Sequence, residues 1–555
     1  MKAAQVLMEI LRAEGVRYLF GNPGTTELTF LDAVPDSGIE YILALQEATA
    51  AAAADGYAQA TGTLGVVNLH VAPGVANGLS ILHNAQRAKT PLVVTAGQQD
   101  SRFLLEEPIL AGDLVQLTEQ FTKWSYEVRR PEEAPRALRR ALTLARTPPT
   151  GPVFLSLPMD LMTAVIEDSG APSPPVASRT LPEPEAVRTA AELLARAKSL
   201  LVVAGDGVAR AGAVAELVAL AELIGARVHG EPVYRRTNFP GDHPLWRGGL
   251  FPAVSGVRKA MDQADCVLLV GCDVFTWLFY VPGDPFPPGL PIIQLDGDPR
   301  ELGKNYPVTL GIVADPKAAL GALVHALGQR YDEPSRRAAA ARAAEIAKAR
   351  TAYLRGLTET AEAERERVPI SQAYLLHTLA SLVPDDVAIV DESASSLRYV
   401  LSYLPFKAAG SFYGSKTGTL GWGMGAAVGV QLANPHRKVV ATIGDGSVMY
   451  ACQALWTAAH YRLPITYVVL NNASYAILKA GMLGLGLDSA KRGIYPGMDL
   501  VDPEIDYVGL AGALGVQAER VDKPGDLRAA LEVALTASGP TLVDVAIDRD
   551  FKPML

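Results

Sequence analysis

Residues 443–447, Ile443-Gly444-Asp445-Gly446-Ser447, and residues 470–472, Leu470-Asn471-Asn472, decide how this chain folds. Asp445 closes an apolar run over 438–443 that has the length and composition of a buried strand. Glycines on both sides let the backbone turn sharply and approach a ligand closely. A helical pattern over 450–461 leads to a second apolar run, 465–470, which ends in Asn472. Two parallel strands joined by one helix bring their carboxyl ends to the same edge of a sheet. The Asp445 carboxylate and the Asn472 amide oxygen are therefore expected to converge. Oxygen-only donors suit Mg2+, which keeps water and takes phosphate oxygens to complete its shell. The stretch reads as a cradle for a metal ion carrying a diphosphate. An ordinary strand-to-helix turn would also use Gly and Asp, but it has no use for the paired asparagines.

Short apolar strands alternate with amphipathic helices along the whole chain, the pattern of doubly wound parallel sheets. At 555 residues the chain is too long for a single core. Two stretches break the alternation. Residues 167–185 are rich in Pro and Ser and read as a linker. Residues 336–366 form an Ala, Arg and Glu tract without a strong apolar stripe, expected as a solvated helix between domains. The fold expected is three doubly wound α/β domains: 1–170, 171–340, and 341–555, the last including the linker helix. In the middle domain, Gly205-Asp206-Gly207 opens like a dinucleotide fingerprint. Arg210 and Ala211 stand where close packing would want Gly, so it reads as a strand-to-helix turn and no nucleotide is assigned there.

A net charge of -9 argues against a nucleic-acid surface. Cys266, Cys272 and Cys452 form no disulfide or metal pattern. Residues 1–15 read as a surface helix rather than a signal peptide, and no apolar run is long enough for a bilayer. The expectation is a soluble cytoplasmic protein.

Gly-Asp-Gly-Ser followed by Asn-Asn resembles the thiamine diphosphate motif of the 2-oxo acid decarboxylase and acetolactate synthase superfamily. Phe20-Gly21-Asn22-Pro23-Gly24-Thr25-Thr26-Glu27-Leu28 resembles the first active-site loop of its benzoylformate decarboxylase branch. Residues 41–48, with Ala54-Asp55-Gly56-Tyr57 after them, resemble that branch's cofactor-activating helix. Residues 67–70, 95–99 and 454–459 fit the same template. The resemblance covers nearly the whole chain and is more specific for the cofactor than for the substrate.

The resemblance implies roles for named residues. Glu47 would hydrogen-bond the cofactor's aminopyrimidine and move the proton that activates thiazolium C2. Leu420, in the glycine-rich stretch 417–423, would wedge between the two rings. Ser393, Ala394, Ser395, Gly444, Gly446, Ser447 and Tyr475 would line the cofactor, with the diphosphate near the turn after 387–391 and the helix start at Gly446. Asp445, Asn472 and the carbonyl of Ser474 would bind Mg2+. His70 follows the strand over 66–69 and precedes a glycine turn, where many histidines are structural. The resemblance makes it the acid-base group, a task that suits a side chain titrating near neutrality. The other seven histidines lack comparable context.

Two departures bear on the substrate. Thr25 stands where the benzoylformate branch has serine, which keeps the hydroxyl and adds a methyl. Leu278 stands where that branch has a second active-site histidine, and a leucine cannot carry a proton. With Ile477 and Leu478, and a loop over 480–499 that looks longer than the branch's, the substrate pocket (Thr25, His70, Leu278, Ile477, Leu478) reads as apolar. The first expectation is non-oxidative decarboxylation of a benzoylformate-like or other apolar 2-oxo acid to an aldehyde and CO2, with carboligation possible in the same site. The second is an acetolactate-synthase-like carboligase or lyase. A silent cofactor-binding structural partner is a third, opposed by the intact Glu47, Asp445 and Asn472. The resemblance also implies a homodimer or homotetramer with active sites at the subunit interface.

Overall fold

The computed structural model describes residues 1–553 and contains three six-stranded sheets, all of whose strand pairs are parallel. In the first, β1 (Tyr18–Gly21), β2 (Glu40–Leu43), β3 (Gly65–Leu69), β4 (Leu92–Gln98), β5 (Ser125–Glu127) and β6 (Val153–Pro158) lie in the order β2-β1-β3-β4-β6-β5. The second holds β7 (Leu200–Ala204), β8 (Arg227–Gly230), β9 (Trp246–Gly249), β10 (Cys266–Val270), β11 (Ile292–Asp296) and β12 (Leu310–Val313), ordered β12-β11-β10-β7-β8-β9. The third holds β13 (Ala388–Glu392), β14 (Phe412–Gly414), β15 (Val439–Gly444), β16 (Ile465–Asn471), β17 (Gln517–Val521) and β18 (Thr541–Ala546), ordered β14-β13-β15-β16-β18-β17. The first and third sheets thus share one winding. The middle sheet changes direction between β7 and β10, the doubly wound order with its switch point at the centre.

The apolar runs that announced the central strands are buried along their length, because helices cover both faces of a parallel sheet. One apolar core joins the first and third sheets, and another joins the second and third. The first joint is closest where the helix Glu47–Thr61 meets the helix Trp422–Ala433. Here small residues let backbones touch: a Cβ on Gly429 would fall 1.9 Å from the Ala53 carbonyl oxygen, and one on Gly56 would fall 2.4 Å from that of Ala426. Asp55, fully buried in this seam, accepts hydrogen bonds from Trp422 Nε1 (2.6 Å) and Asn84 Nδ2 (3.0 Å).

Residues 166–183 run without helix or strand, and the expected solvated helix spans Glu333–Ala363 with only three buried residues. Arg342 and Arg350 tie it to carbonyls of Ile224 and Gly241, and its Leu357 carbonyl accepts from Tyr403 of the third unit. The N-terminal helix, Ala3–Ala13, buries Val6, Leu7, Met8, Ile10 and Leu11 against the first unit, so only its polar face meets solvent. Two local expectations are corrected. Asp445 does not end a strand: β15 runs on to Gly444, and Asp445 is the first residue of the helix Asp445–Ala451. A second helix, Gln453–His460, follows Cys452, so the single helix expected over 450–461 is two. The first of them starts one residue before the helix start expected at Gly446, and the Asp445 side chain accepts from the Gly446 N–H at 2.9 Å. Among the described residues no helix is long and apolar enough to cross a membrane.

Candidate active site

The carboxyl ends of β15 and β16 bring the predicted metal ligands together. The Ser474 N–H donates to Asp445 Oδ2 at 3.2 Å and to Asn472 Oδ1 at 3.0 Å, so the two oxygens lie around one point of backbone. Asp445 is buried and forms no ion pair with any described residue. Burial pushes its carboxyl up to about 6, against opposing hydrogen bonds from Gly446, Ser474 and Ala473. An acid held dry with no cation beside it is where a bound divalent ion would restore the charge balance. No group of three or more His, Cys, Asp or Glu side chains forms a metal site among the described residues. One carboxylate, one amide oxygen and one backbone carbonyl therefore fit an ion that takes its remaining ligands from phosphate and water. Tyr475 lies over the cradle: a Cβ on Gly446 would fall 2.4 Å from its ring. Tyr507 donates to the Asp445 carbonyl at 2.9 Å.

Beside this cradle, β13 leads to Ser393, Ala394 and Ser395. Ser393 is buried with its hydroxyl committed to Asp391 (2.6 Å), while Ala394 is exposed. Leu420 is half-buried in the loop between β14 and the helix Trp422–Ala433. Glu392 holds the end of that loop, accepting from the Gly421 N–H at 2.7 Å and the Gly423 N–H at 2.5 Å.

A second group of predicted residues gathers at the first sheet. Glu47 is the first residue of its helix, capped by the Gln46 side chain, and only 7 % exposed. Asn77 Nδ2 donates to Glu47 Oε2 at 3.0 Å. Gly74 stands between Glu47 and His70: a Cβ there would fall 2.9 Å from both Glu47 Oε1 and His70 Cβ. His70 precedes the helix Val71–Arg87, and its Nδ1 lies 2.8 Å from Glu27 Oε2. Glu27 was assigned no role in the sequence, yet it organises this corner. Fully buried, it also accepts from the N–H groups of Val71 (3.1 Å) and Gly97 (2.8 Å) and from Thr26 Oγ1 (2.8 Å). A carboxylate on Nδ1 fixes the imidazole's tautomer and aims Nε2 outward. Thr25 is exposed, and the hydroxyl that faces His70, at 3.5 Å, belongs to Thr26.

Three non-glycine residues with left-handed backbone flank these groups: Val71 (φ 32°) beside His70, Ala394 (φ 42°) between the two serines, and Ala473 (φ 49°) between Asn472 and Ser474. Each costs on the order of 1–3 kcal/mol, and such strain collects where a site needs it. Nothing in the residue types at 71, 394 or 473 signals it. Leu278, on the irregular stretch after β10, is 74 % exposed, and Leu478 is 51 % exposed. One chain therefore leaves the predicted substrate pocket open, and no hydrogen bond or ion pair joins Glu47 to Asp445.

Comparison with known proteins accords with this geometry. Family models of the thiamine pyrophosphate enzymes match residues 1–117 (N-terminal TPP binding domain), 187–323 (central domain) and 394–545 (C-terminal TPP binding domain). The chain belongs to the thiamine pyrophosphate enzyme family. It is 34 % identical over 549 residues to a benzoylformate decarboxylase of Pseudomonas aeruginosa, covering 97 % of each chain. It is 29 % identical to the acetolactate synthase isozyme 2 large subunit of Escherichia coli, over 99 % of this chain and 96 % of that one. Among solved structures, the thiamine diphosphate-dependent 4-hydroxybenzoylformate decarboxylase of Rhodococcus jostii RHA1 superposes with a TM-score of 0.87 at 32 % identity, over 99 % of this chain and 100 % of that one.

Proposed function

We propose that this family member is a thiamine diphosphate- and Mg2+-dependent, non-oxidative decarboxylase of an apolar 2-oxo acid, releasing an aldehyde and CO2. The observation that carries the reading is the Glu47–Gly74–His70–Glu27 corner, which sets an acid-base imidazole one glycine away from the carboxylate that would activate the cofactor. Asp445, Asn472 and the Ser474 carbonyl would hold the metal, and Leu420, Tyr475 and the Ser393–Ser395 turn would hold the cofactor. Bound thiamine diphosphate supplies a nucleophilic thiazolium carbon and takes up the electron pair released with CO2. Glu47 holds and returns a proton at the pyrimidine. His70, positioned by Glu27, delivers a proton to the reacting carbon through Nε2. The half-open site and the exposed Leu28, Met449, Tyr450 and Leu478 beside its parts support completion by a second copy of the chain.

A second reading, carboligation, is favoured by Leu278. With no proton donor there, the decarboxylated carbon has more time to attack another carbonyl. A panel of 2-oxo acids, with thiamine diphosphate and Mg2+ supplied, tests both by following CO2 and organic products. Aldehyde and CO2 in equal amounts is the expected result. A 2-hydroxy ketone as main product supports the second reading, and no CO2 from any acid overturns both.

A further inference from the structure

The switch-point crevice of the middle sheet, between β7 and β10, is where a doubly wound sheet offers a ligand its place. Here it is filled from within. Gly205 and Gly207 pack directly on the Gly271 backbone, where a Cβ on Gly205 would fall 2.2 Å from the Gly271 oxygen. Three acids ring what remains: Asp206 opens the short helix after β7, Glu231 follows β8 and Asp273 follows β10. Their side chains are 5 %, 2 % and 14 % exposed.

The cation that meets them comes from the third unit. Lys416, its side chain 6 % exposed, places Nζ 2.8 Å from Glu231 Oε1, 3.0 Å from Asp206 Oδ2, 3.3 Å from Asp273 Oδ2 and 3.2 Å from the Val233 carbonyl. The socket is braced from behind. Asp206 Oδ1 accepts from Arg235 N and Asn238 Nδ2, and Glu231 accepts from the N–H groups of Asp206 and Asp273. Lys416 is the cation in contact with all three carboxylates, with Arg210 and Lys89 acting on Asp206 and Asp273 from further off, and burial still pushes the Glu231 carboxyl up beside the lysine. Such a cluster is a poor way to gain stability, and its best attested use is to fix one arrangement of parts against others.

Lys416 begins the loop that ends at Leu420. Asn84 Oδ1 gathers the loop's start, accepting from Ser415 Oγ (3.1 Å), Lys416 N (2.8 Å) and Thr417 N (3.3 Å), while Glu392 grips its end at Gly421 and Gly423. The lysine is the loop's side-chain anchor on the middle unit, which β14 also meets just before the loop, where the Gly414 N–H donates to the Arg235 carbonyl at 3.0 Å. We propose that Lys416 is a positioning residue: its ammonium, seated among Asp206, Glu231 and Asp273, sets the loop that presents Leu420 to the cofactor. The crevice is then a socket for the protein's own cation. The proposal rests on the reading that Leu420 meets thiamine diphosphate.

The full-length protein, loaded with thiamine diphosphate and Mg2+, tests it through Lys416→Met and the variant Lys416→Met/Asp206→Asn/Glu231→Gln/Asp273→Asn, which removes the stranded charge of all three acids. Three quantities are read: the cofactor's dissociation constant by calorimetry, the near-ultraviolet circular dichroism of the bound cofactor, which follows the angle between its rings, and the thermal midpoint. Lys416→Met should weaken cofactor binding about tenfold or more, alter the dichroism and lower the midpoint. The neutralised variant should regain the midpoint while affinity and dichroism stay altered. Wild-type affinity and dichroism in the neutralised variant, or in Lys416→Met itself, overturn the proposal and leave Lys416 a structural ion pair. Failure of the wild type to bind thiamine diphosphate overturns the cofactor reading as well, a result the variants alone cannot produce.

Discussion

Gly429→Ala probes the seam that fixes Glu47 relative to the third sheet. The added carbon would fall 1.9 Å from the Ala53 oxygen and 2.6 Å from the Tyr57 nitrogen, where ordinary contact begins near 3.4 Å. Both are backbone atoms of the helix Glu47–Thr61, so no side chain can swing aside and the two helices must part. The same movement opens the contacts of Gly56 with Ala426 and of Gly425 with Thr49, now held at backbone distance. A gap of about 0.5–1 Å already forfeits a quarter to a half of the dispersion energy across a face. Overpacking of this kind costs roughly 1–3 kcal/mol. Stretching the 2.6 Å hydrogen bond from Trp422 to the buried Asp55 carboxylate adds roughly 1.5–3 kcal/mol. The expected loss is roughly 2.5–6 kcal/mol, a fall of roughly 2–5 °C in the thermal midpoint if the 555 residues melt as one cooperative unit. Circular dichroism melts read the midpoint, and calorimetric titration should show weaker thiamine diphosphate binding, because Glu47 begins the displaced helix. Gly356→Ala is the control: it lies in the helix Glu333–Ala363 with nothing within 4 Å of the added carbon, and should be neutral or gain about 0.5–1 kcal/mol. A Gly429→Ala protein that melts and binds cofactor like the wild type would refute backbone contact at this seam.

Asp445→Ala should weaken cofactor binding in Mg2+ by roughly tenfold or more while the fold survives, and calorimetry showing unchanged affinity removes the metal assignment. Glu47→Gln should still bind cofactor but slow hydrogen–deuterium exchange at thiazolium C2, followed by NMR; a wild-type exchange rate rules the role out. His70→Ala should slow turnover roughly 10²- to 10⁴-fold, and Glu27→Gln by less, since the amide oxygen still accepts from Nδ1; steady-state rates that do not change make the pair structural. Glu392, buried and pushed up to about 7 by desolvation, binds its proton more tightly folded than unfolded. Its contribution to stability is therefore complete below the ordinary carboxylate value of 4.5 and is lost as the pH rises through 7, by roughly 3 kcal/mol at most. Denaturant titrations from about pH 5 to 8 should show a smaller decline for Glu392→Gln than for wild type, and parallel curves contradict the raised carboxyl.

The three-sheet fold was legible because parallel strands buried on both faces must be apolar throughout. Residues 439–444 and 465–471 show such runs, and Gly, Asp and Asn mark where they end. The convergence of Asp445 and Asn472 followed from that topology alone. Glu27 did not, because its meaning comes from the approach of residues 70, 71 and 97, which no local pattern encodes. The same holds for Lys416, whose three partners end or follow strands of another sheet. The strand end was misplaced by one residue because β15 runs on to Gly444, which has no side chain to extend the apolar run. Leu278 could be aligned by resemblance, but whether it lines a wall depends on surfaces that one chain leaves open.

The helix Val71–Arg87 shows how much a single periodicity can organise. His70, Gly74, Asn77, Ser80 and Asn84 recur at steps of four, three, three and four, which places them along one face. Each meets a different partner: His70 reaches Glu27, Gly74 admits both Glu47 and His70, and Asn77 holds Glu47. The Ser80 carbonyl accepts from Thr419 at 3.5 Å, next to Leu420, and Asn84 bonds Asp55 on one side and the Ser415–Thr417 backbone on the other. The adjoining face is apolar, with Val75, Leu82 and Ala85 buried in the core shared by the first and third sheets. That burial makes the helix rigid, so distances along its polar face are fixed at 1.5 Å per residue. The His70–Glu27 corner, the Glu47 carboxylate and the loop bearing Leu420 are therefore spaced by one helix. The loop's remaining freedom, its height above that helix, is the quantity left for Glu392 and Lys416 to set from the other two units.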